Sequence, residues 1–484
     1  MEFPVPIPDM LPLTRALAGP APRWIAVGLA LLNLVAIGRA IVRGHGVSST
    51  LAWILAVLAF PGVGAVAYLL LANPGIGRTV RRRASAASET GASPLPVAGL
   101  DETERRIVQL AGELSGLGGS AGNRVDLLVE DEGAFERIEE ALAGARRSIW
   151  AENYIVRNDA TGHRFLELLA GRAAAGVDVR LLYDAVGSLG LDGARLRAIR
   201  DAGGQAEPFL PVNPLRRRWA VHLRNHRKLT IVDGTAAFTG GMNVGDEHAG
   251  RSRRRGVRRF RDTHLRVEGP SVRDFASVFA DDWKFATGES LALPEGSGDG
   301  AGSSVVCPLP SGPDQRFNAS AHAFFAGVAS ARRSCYVTTP YFIPDEPMLR
   351  ALVTAASSGV DVRVMVPLRN DAPLVGAAAR SYYPELIGGG VRVFEYGPAM
   401  LHAKSMVVDG RWGIVGSANV DIRSFRLNFE IGALVLDPVF AGKLTRRFLS
   451  DLGRSVEVTP AALRATSLAR RLLQGVARLL SPLL

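Results

Sequence analysis

Two short segments of this chain place a histidine, a lysine, an aspartate and an asparagine at the same spacing. Each reads H-x-K-x4-D-x6-G-[GS]-x-N. The first holds His226, Lys228, Asp233, Gly240, Gly241 and Asn243. The second holds His402, Lys404, Asp409, Gly416, Ser417 and Asn419. On a strand, residues two apart share a face, so each lysine should stand beside its histidine. An imidazole beside an ammonium suits attack on a phosphate. The lysine holds the anionic oxygens, and the histidine acts as nucleophile or proton donor. Asp233 and Asp409 complete the motifs and are candidate members of the catalytic set. Each precedes a glycine, a turn signature, and lies an odd number of positions from its histidine, so both read as structural more than catalytic. Asn243 and Asn419 follow small residues and could donate to the phosphate in a tight site.

The elements around these residues come in duplicate. "ARRSIWAENYIV" from Ala145 matches "ARRSCYVTTPYFI" from Ala331. "GVDVRLLYD" from Gly176 matches "GVDVRVMVP" from Gly359, and "HRKLTIVDG" matches "HAKSMVVDG". Three matches in one order at nearly constant offset indicate an internal duplication. "SIWAENYIV" and "VDVRLLYD" have the β-branched and aromatic content of buried strands, and "GHRFLELLAGRAAAG" between them has helical spacing and ends at glycine. The expected fold class is therefore α/β, with two homologous lobes, each a mixed sheet flanked by helices.

The 484-residue chain is too long for one ordinary domain, and 47% apolar residues exclude global disorder. A net charge of +11 favours an anionic partner, nucleic acid or an acidic membrane, without choosing between them. The two cysteines, Cys307 and Cys335, lie in or beside apolar runs and read as buried thiols. No zinc-ligand spacing occurs, so a structural zinc site is not expected, and no cofactor is called for.

Two apolar runs precede the duplicated region. Leu51 to Ala72 carries no charge, although Pro61 and Gly62 interrupt it. Trp24 to Val42 is the weaker run, with Asn33 and Arg39 inside it. Both approach the roughly 20 residues that cross a bilayer, so a two-helix transmembrane hairpin is expected. Arg15, Arg23, Arg78, Arg81, Arg82 and Arg83 flank it on the outer sides, which puts both ends and the remaining chain in the cytoplasm. The resulting partition is an N-terminal segment (1–23), the hairpin (24–73, spans near 24–42 and 51–72) and a linker (74–123). A first lobe (124–300), a second lobe (301–456) and a basic amphipathic C-terminal helix (457–484) follow. That last helix would lie in a membrane interface or pack on the protein.

The paired motifs resemble those of the phospholipase D superfamily, over about residues 124 to 454. The resemblance implies two pseudo-symmetric lobes whose histidines meet at one metal-independent site. One histidine would form a covalent phosphohistidine, and the other would protonate the leaving alcohol. It further implies an acidic residue after each motif that orients an imidazole, matched here by Asp262 in "FRDTHL" and Glu430 in "RLNFEIG". "GGMNVGDEHAGR", "TPYFIPDE", "GSANVDIRSFRLNFE", "RLLSPLL" and the N-terminal runs are similar to bacterial cardiolipin synthases. What this implies is transfer of a phosphatidyl group between phosphatidylglycerol molecules at the inner membrane, with no nucleic acid partner and no oligomeric state specified. Family resemblance assigns the nucleophile to His226 and the acid to His402. Other phospholipase D-type enzymes, a hydrolase or a phosphatidylserine synthase, and more distantly a nuclease, are the alternatives. His248 departs from that pattern, which commonly has an aromatic residue there, and reads as a solvated loop histidine. Arg216 to Arg218 and the arginines between Arg251 and Arg261 read as a basic loop or as headgroup contacts. Trp219, Tyr341 and Phe342 are candidates for an acyl-chain entrance, with core packing the commoner role of aromatics near a sheet.

Overall fold

The structure, a computed structural model, describes residues 23–43, 47–69, 99–130, 133–211, 223–250, 259–294, 300–315 and 317–481. The chain divides into two compact units, Met1–Gly77 and Arg78–Leu484.

In the first unit, Arg23–Arg43 is one continuous helix, and its Trp24–Val42 portion is long and apolar enough to cross a membrane. The second apolar run, expected to be the cleaner span, is the broken one. Its helix Val47–Ala59 stops before Pro61, and a short helix resumes at Val63–Ala67. Residues 70–72 of the expected span lie outside the described residues. Proline has no N–H to continue the ladder, and Gly62 takes φ +81°. The Gly62 N–H freed by this break donates to the Asn33 side chain at 2.9 Å. The two irregularities of the sequence thus satisfy one another. Ala36, Ala40, Val57, Ala65 and Tyr68 form the contact between the helices.

The second unit carries the duplication. The first lobe contributes β1 (Ser120–Val129), β2 (Ser148–Asn153), β3 (Asp178–Asp184), β4 (Gln205–Phe209), β5 (Lys228–Val232), β6 (Ala236–Gly240) and β7 (Thr263–Glu268). The second contributes β8 (Ser304–Ser311), β9 (Ser334–Thr338), β10 (Asp361–Pro367), β11 (Arg392–Tyr396), β12 (Ser405–Val408), β13 (Trp412–Gly416) and β14 (Asn428–Leu436), with β15 (Ser455–Glu457) at its edge. The order is β1-β7-β6-β5-β2-β3-β4 in one lobe and β8-β14-β13-β12-β9-β10-β11 in the other, the same topology twice. β1 and β8 pair antiparallel and join the lobes into one continuous sheet. β2-β3-β4 and β9-β10-β11 run parallel, while the hairpins β5-β6 and β12-β13 run antiparallel. Each lobe is mixed, as expected. Helices such as Ala160–Ala174 and Glu346–Ser357 cover it with apolar cores.

The expected linker is partly structured. Asp101 caps the helix Glu102–Ser115 with a full capping box, and Ile107, Val108 and Ala111 pack into the second lobe's core. Its amphipathic spacing was legible but lay next to an Ala/Ser/Gly-rich stretch. The expected single C-terminal helix is two, Pro460–Arg464 and Leu468–Leu479. Cys307 and Cys335 are buried and unbridged.

Candidate active site

The hairpin geometry explains the motif spacing. Asp233 (φ 54°) and Gly234 (φ 68°) form the corner between β5 and β6, and Asp409 (φ 52°) and Gly410 (φ 67°) the corner between β12 and β13. Both central residues lie in the left-handed region that an Asp-Gly hairpin turn requires. The Asp233 carboxylate accepts from the backbone N–H groups of Arg146, Arg147 and Ser148 at 2.7–3.1 Å, fixing the start of β2. Asp409 accepts likewise from Arg332, Arg333 and Ser334, at the start of β9. Five residues of strand, roughly 16 Å, separate these carboxylates from the lysines. Both aspartates therefore stand outside the reacting site. They clamp each hairpin to its neighbouring strand.

The histidines sit at the opposite end of the hairpins. They precede the strands rather than lie in them, since β5 begins at Lys228 and β12 at Ser405. What holds each one is the other lobe. Arg224–Asn225 pairs with Asn428–Phe429, and the His226 N–H donates to the Phe429 carbonyl at 2.8 Å. Met400–Leu401 pairs with Phe260–Arg261, and the His402 N–H donates to the Arg261 carbonyl at 2.7 Å. The carboxylates cross in the same way. His226 Nδ1 lies 2.8 Å from Glu430 of the second lobe, and His402 Nδ1 lies 2.7 Å from Asp262 of the first. Neither the exchange of backbone nor that of acids was legible in the sequence, because spacing reports order along one chain and not pairing between repeats.

His226, His402, Asn243 and Asn419 line one pocket of about 300 Å³, with Tyr154, Arg224 and Arg423 also at its wall. Lys228 and Lys404 are buried beside it. Burial, and then the charge of Lys228, lower His226 to about 4 against the opposing pull of Glu430. Burial and Lys404 hold His402 well below its ordinary value. Burial also lowers Lys228 to about 7 and Lys404 to about 8. Burial would raise both carboxyls. Lys404 and His402 nonetheless hold Asp262 well below its ordinary value, and His226 and Lys228 hold Glu430 below its own. At neutral pH each imidazole is thus neutral, with Nδ1–H donated to an ionised carboxylate. That leaves the Nε2 lone pair for chemistry.

Several expectations change. His248 is buried, not solvated. Its Nδ1 lies 3.2 Å from the same Asp262 oxygen that His402 uses, and its Nε2 lies 3.2 Å from the Asn243 amide nitrogen. An isolated histidine in a loop sequence gave no signal of this. The asparagines were expected to donate to phosphate. Instead their amide nitrogens are held, Asn243 by His248 and Asn419 by Asp421, and each Oδ1 has no partner among the described residues. As placed, the unclaimed atoms are acceptors, which suit an alcohol hydroxyl rather than phosphate oxygens. Phe342 is core and lines no entrance, whereas Tyr341 does line the pocket. Trp219, Arg216 to Arg218 and the arginines at 251–258 lie outside the described residues. Arg261 is no headgroup contact, since it is buried and ion-paired with Asp451 at 2.7 Å. His248, Asp262 and His402 are close enough to chelate an ion. However, Lys404 Nζ stands 2.7 Å from His402 Nδ1 and brings positive charge to that space. The trio reads as a hydrogen-bond network.

Paired lobes with the same strand order, each supplying a His-Lys unit and the other's acid, define the phospholipase D class of phosphodiester-processing folds. The phosphatidylserine synthase of Haemophilus influenzae shares the fold, with a TM-score of 0.57 and 16% identity over 78% of this chain and all of that one. Residues 326–452 match the family model "Cardiolipin synthase, PLD-like domain", and residues 31–73 match "Phospholipase_D-nuclease N-terminal". Cardiolipin synthase of Geobacillus sp. (strain WCH70) is 37% identical over 90% of this chain and 89% of its own length. Cardiolipin synthase A of Pseudomonas aeruginosa (strain LESB58) is 35% identical over 95% of this chain and 96% of its own. The chain belongs to the cardiolipin synthase family.

Proposed function

We propose that this chain is a cardiolipin synthase that moves the phosphatidyl group of one phosphatidylglycerol onto the hydroxyl of another. The carrying observation is the single pocket lined by two histidines, each held by the other lobe's carboxylate and accompanied by a buried lysine. Family membership supplies the lipid class.

In the first half-reaction, His226 Nε2 attacks the phosphorus. The P–O bond to the headgroup glycerol breaks, and His402 gives that oxygen its proton. A phosphatidyl-His226 intermediate and free glycerol result. In the second, His402 takes the proton of the acceptor hydroxyl, whose oxygen displaces His226 to form cardiolipin. Lys404 supports this division of roles. Its Nζ lies over the His402 ring, 2.7 Å from Nδ1 and 3.2 Å from Nε2, where its charge opposes the positive charge that a nucleophilic imidazole builds up. Like Lys404, Lys228 donates to the carbonyl of its own histidine, here at 2.7 Å, but among the described residues it makes no hydrogen bond to the His226 ring. An entering phosphodiester draws both ammonium groups to its oxygens. With Lys404 withdrawn, and negative charge beside it, His402 gains the proton that it must deliver. Glu430 and Asp262 fix the two tautomers and stabilise imidazolium as it forms. The open asparagine oxygens accept the hydroxyl protons of the leaving or entering glycerol.

Transfer must outrun hydrolysis of the intermediate. A positioned acceptor can do so, because effective molarities reach about 10⁵–10⁸ M. The two N-terminal apolar segments would anchor the enzyme where acceptor lipids concentrate, with the flanking arginines placing the lobes on the cytoplasmic side of the inner membrane. The test supplies purified enzyme with phosphatidylglycerol alone. Cardiolipin and glycerol should appear in equal amounts, with little phosphatidic acid. Phosphatidic acid as the main product at every lipid density would make the chain a hydrolase.

A further inference from the structure

The helix Leu468–Leu479 has one packed face and one open face. Ala477 is fully buried in the second lobe's core. Leu468, Leu472, Val476 and Leu479 recur at helical spacing on another face, and all four are exposed, Leu468 to 73% and Leu479 to 80%. No charged residue interrupts that stripe. A continuous apolar ridge of this kind is uncommon on a surface that meets only water.

Beside the helix runs a groove of about 790 Å³, with Arg464, Arg470 and Arg471 in its wall. None of these three has a carboxylate partner among the described residues. The arginines that are paired lie elsewhere on the groove's rim or beyond it. Arg380 meets Glu395 at 2.9 Å, and Arg478 stacks on Tyr382 and reaches Glu385 at 3.7 Å. Arg471 is braced by the backbone carbonyls of Thr466 and Arg464, each at 3.0 Å. Three guanidinium groups without a carboxylate partner, next to an uncharged ridge, form the two halves of one surface: cations at headgroup depth and leucines at acyl depth.

We infer that this helix is a membrane-docking element that takes anionic phospholipid, with a headgroup phosphate in the Arg464/Arg470/Arg471 groove and the leucine ridge among the acyl chains. A second copy of the chain fits less well, because it would bring the same unpaired arginines against these. Docking here would hold the second lobe against the bilayer independently of the N-terminal helices. The inference rests on the reading of the chain as an enzyme working at a membrane.

The experiment uses the full chain reconstituted in vesicles. Cys307 and Cys335 are fully buried, so a Val476→Cys substitution gives one reactive thiol for a polarity-sensitive fluorophore. Brominated phosphatidylcholine reports contact with acyl chains. Vesicles containing phosphatidic acid should give strong quenching, and purely zwitterionic vesicles little. Adding Arg470→Gln and Arg471→Gln should lower the docked-to-free ratio on the order of thirtyfold, from about 1 kcal/mol per arginine. Absence of quenching in both vesicle types would overturn the inference. So would equal quenching in both, which would remove the anionic recognition, or a blue shift without quenching that grows with protein density, which would mean a second copy. Cardiolipin formation in the unlabelled sample tests the enzymatic reading separately.

Discussion

His226 and His402 occupy equivalent points of a duplicated chain, and their surroundings differ. Around His226, Glu430 is saturated from the second lobe itself, by the Ser417 hydroxyl at 2.5 Å and the Asn428 amide at 3.2 Å. Around His402, Asp262 is braced by a third histidine, His248, and the ring stacks on Phe260 with centroids 5.1 Å apart. The motif's variable small residue follows this division. At Gly241 a Cβ would fall 2.0 Å from Asp262 Oδ1, so only glycine fits; at the matching position Ser417 reaches its acid through a hydroxyl. Duplication supplied two copies of a scaffold. On the proposed covalent mechanism, its two roles would come from what packs around each imidazole.

The largest effect should separate these roles outright. His226→Ala should lose at least about 10³-fold in turnover with every substrate. His402→Ala should lose a comparable factor with phosphatidylglycerol, but recover most of its first half-reaction when the leaving group is p-nitrophenol, which needs no acid. Equal rescue of both variants, measured as p-nitrophenol release, would erase the distinction.

The next effect follows from the empty pocket's charges. His226 is neutral above about 4, while Lys228 and Lys404 lose their protons near about 7 and about 8. Since kcat/KM reports the free enzyme, it should rise through the first value and fall through the second two. A profile flat to strongly alkaline pH would show that the lysines keep ordinary values.

His248→Phe keeps the ring's volume and removes both nitrogens. Asp262 would then serve His402 alone. Turnover of phosphatidylglycerol should change on the order of tenfold, the weight of a buried hydrogen bond or two. The His402 imidazole, no longer sharing Asp262, should hold its proton to higher pH, read by NMR titration, and p-nitrophenol release should be unaffected. Equal slowing of both substrates would make His248 merely structural.

The smallest catalytic effect belongs to the third letter of the motif. Asp233→Ala or Asp409→Ala should cost about 1–3 kcal/mol of stability, through unpaired backbone N–H groups and a strained turn. Activity per folded molecule should stay the same. A melting curve in detergent together with intermediate-burst titration separates the two quantities.

Much of this was legible from residue order. The duplication, the mixed sheets and the structural reading of Asp233 and Asp409 all rest on local patterns: period-two strands, Asp-Gly corners and repeated words. Asp262 and Glu430 were found through family resemblance, but their exchange between lobes was not, since it depends on two-residue pairings across the interface. His248 was missed for a related reason: apart from its neighbour Asn243, what surrounds it is Phe260, Asp262 and His402, which lie farther along the chain. The broken second apolar helix was foreshadowed by Pro61 and Gly62. Its repair by Asn33 is a contact between segments that periodicity treats separately.

The central claim is that the two lobes are unequal and that His226 carries the phosphatidyl group. Rapid quenching of the enzyme with radiolabelled phosphatidylglycerol into alkaline denaturant preserves a phosphohistidine for peptide mapping. The label should reside on the peptide containing His226 and should build up in His402→Ala supplied with a p-nitrophenyl phosphodiester. Label on the His402 peptide would reverse the roles, and label on both in equal amounts would mean that the surroundings of the two imidazoles do not decide the chemistry.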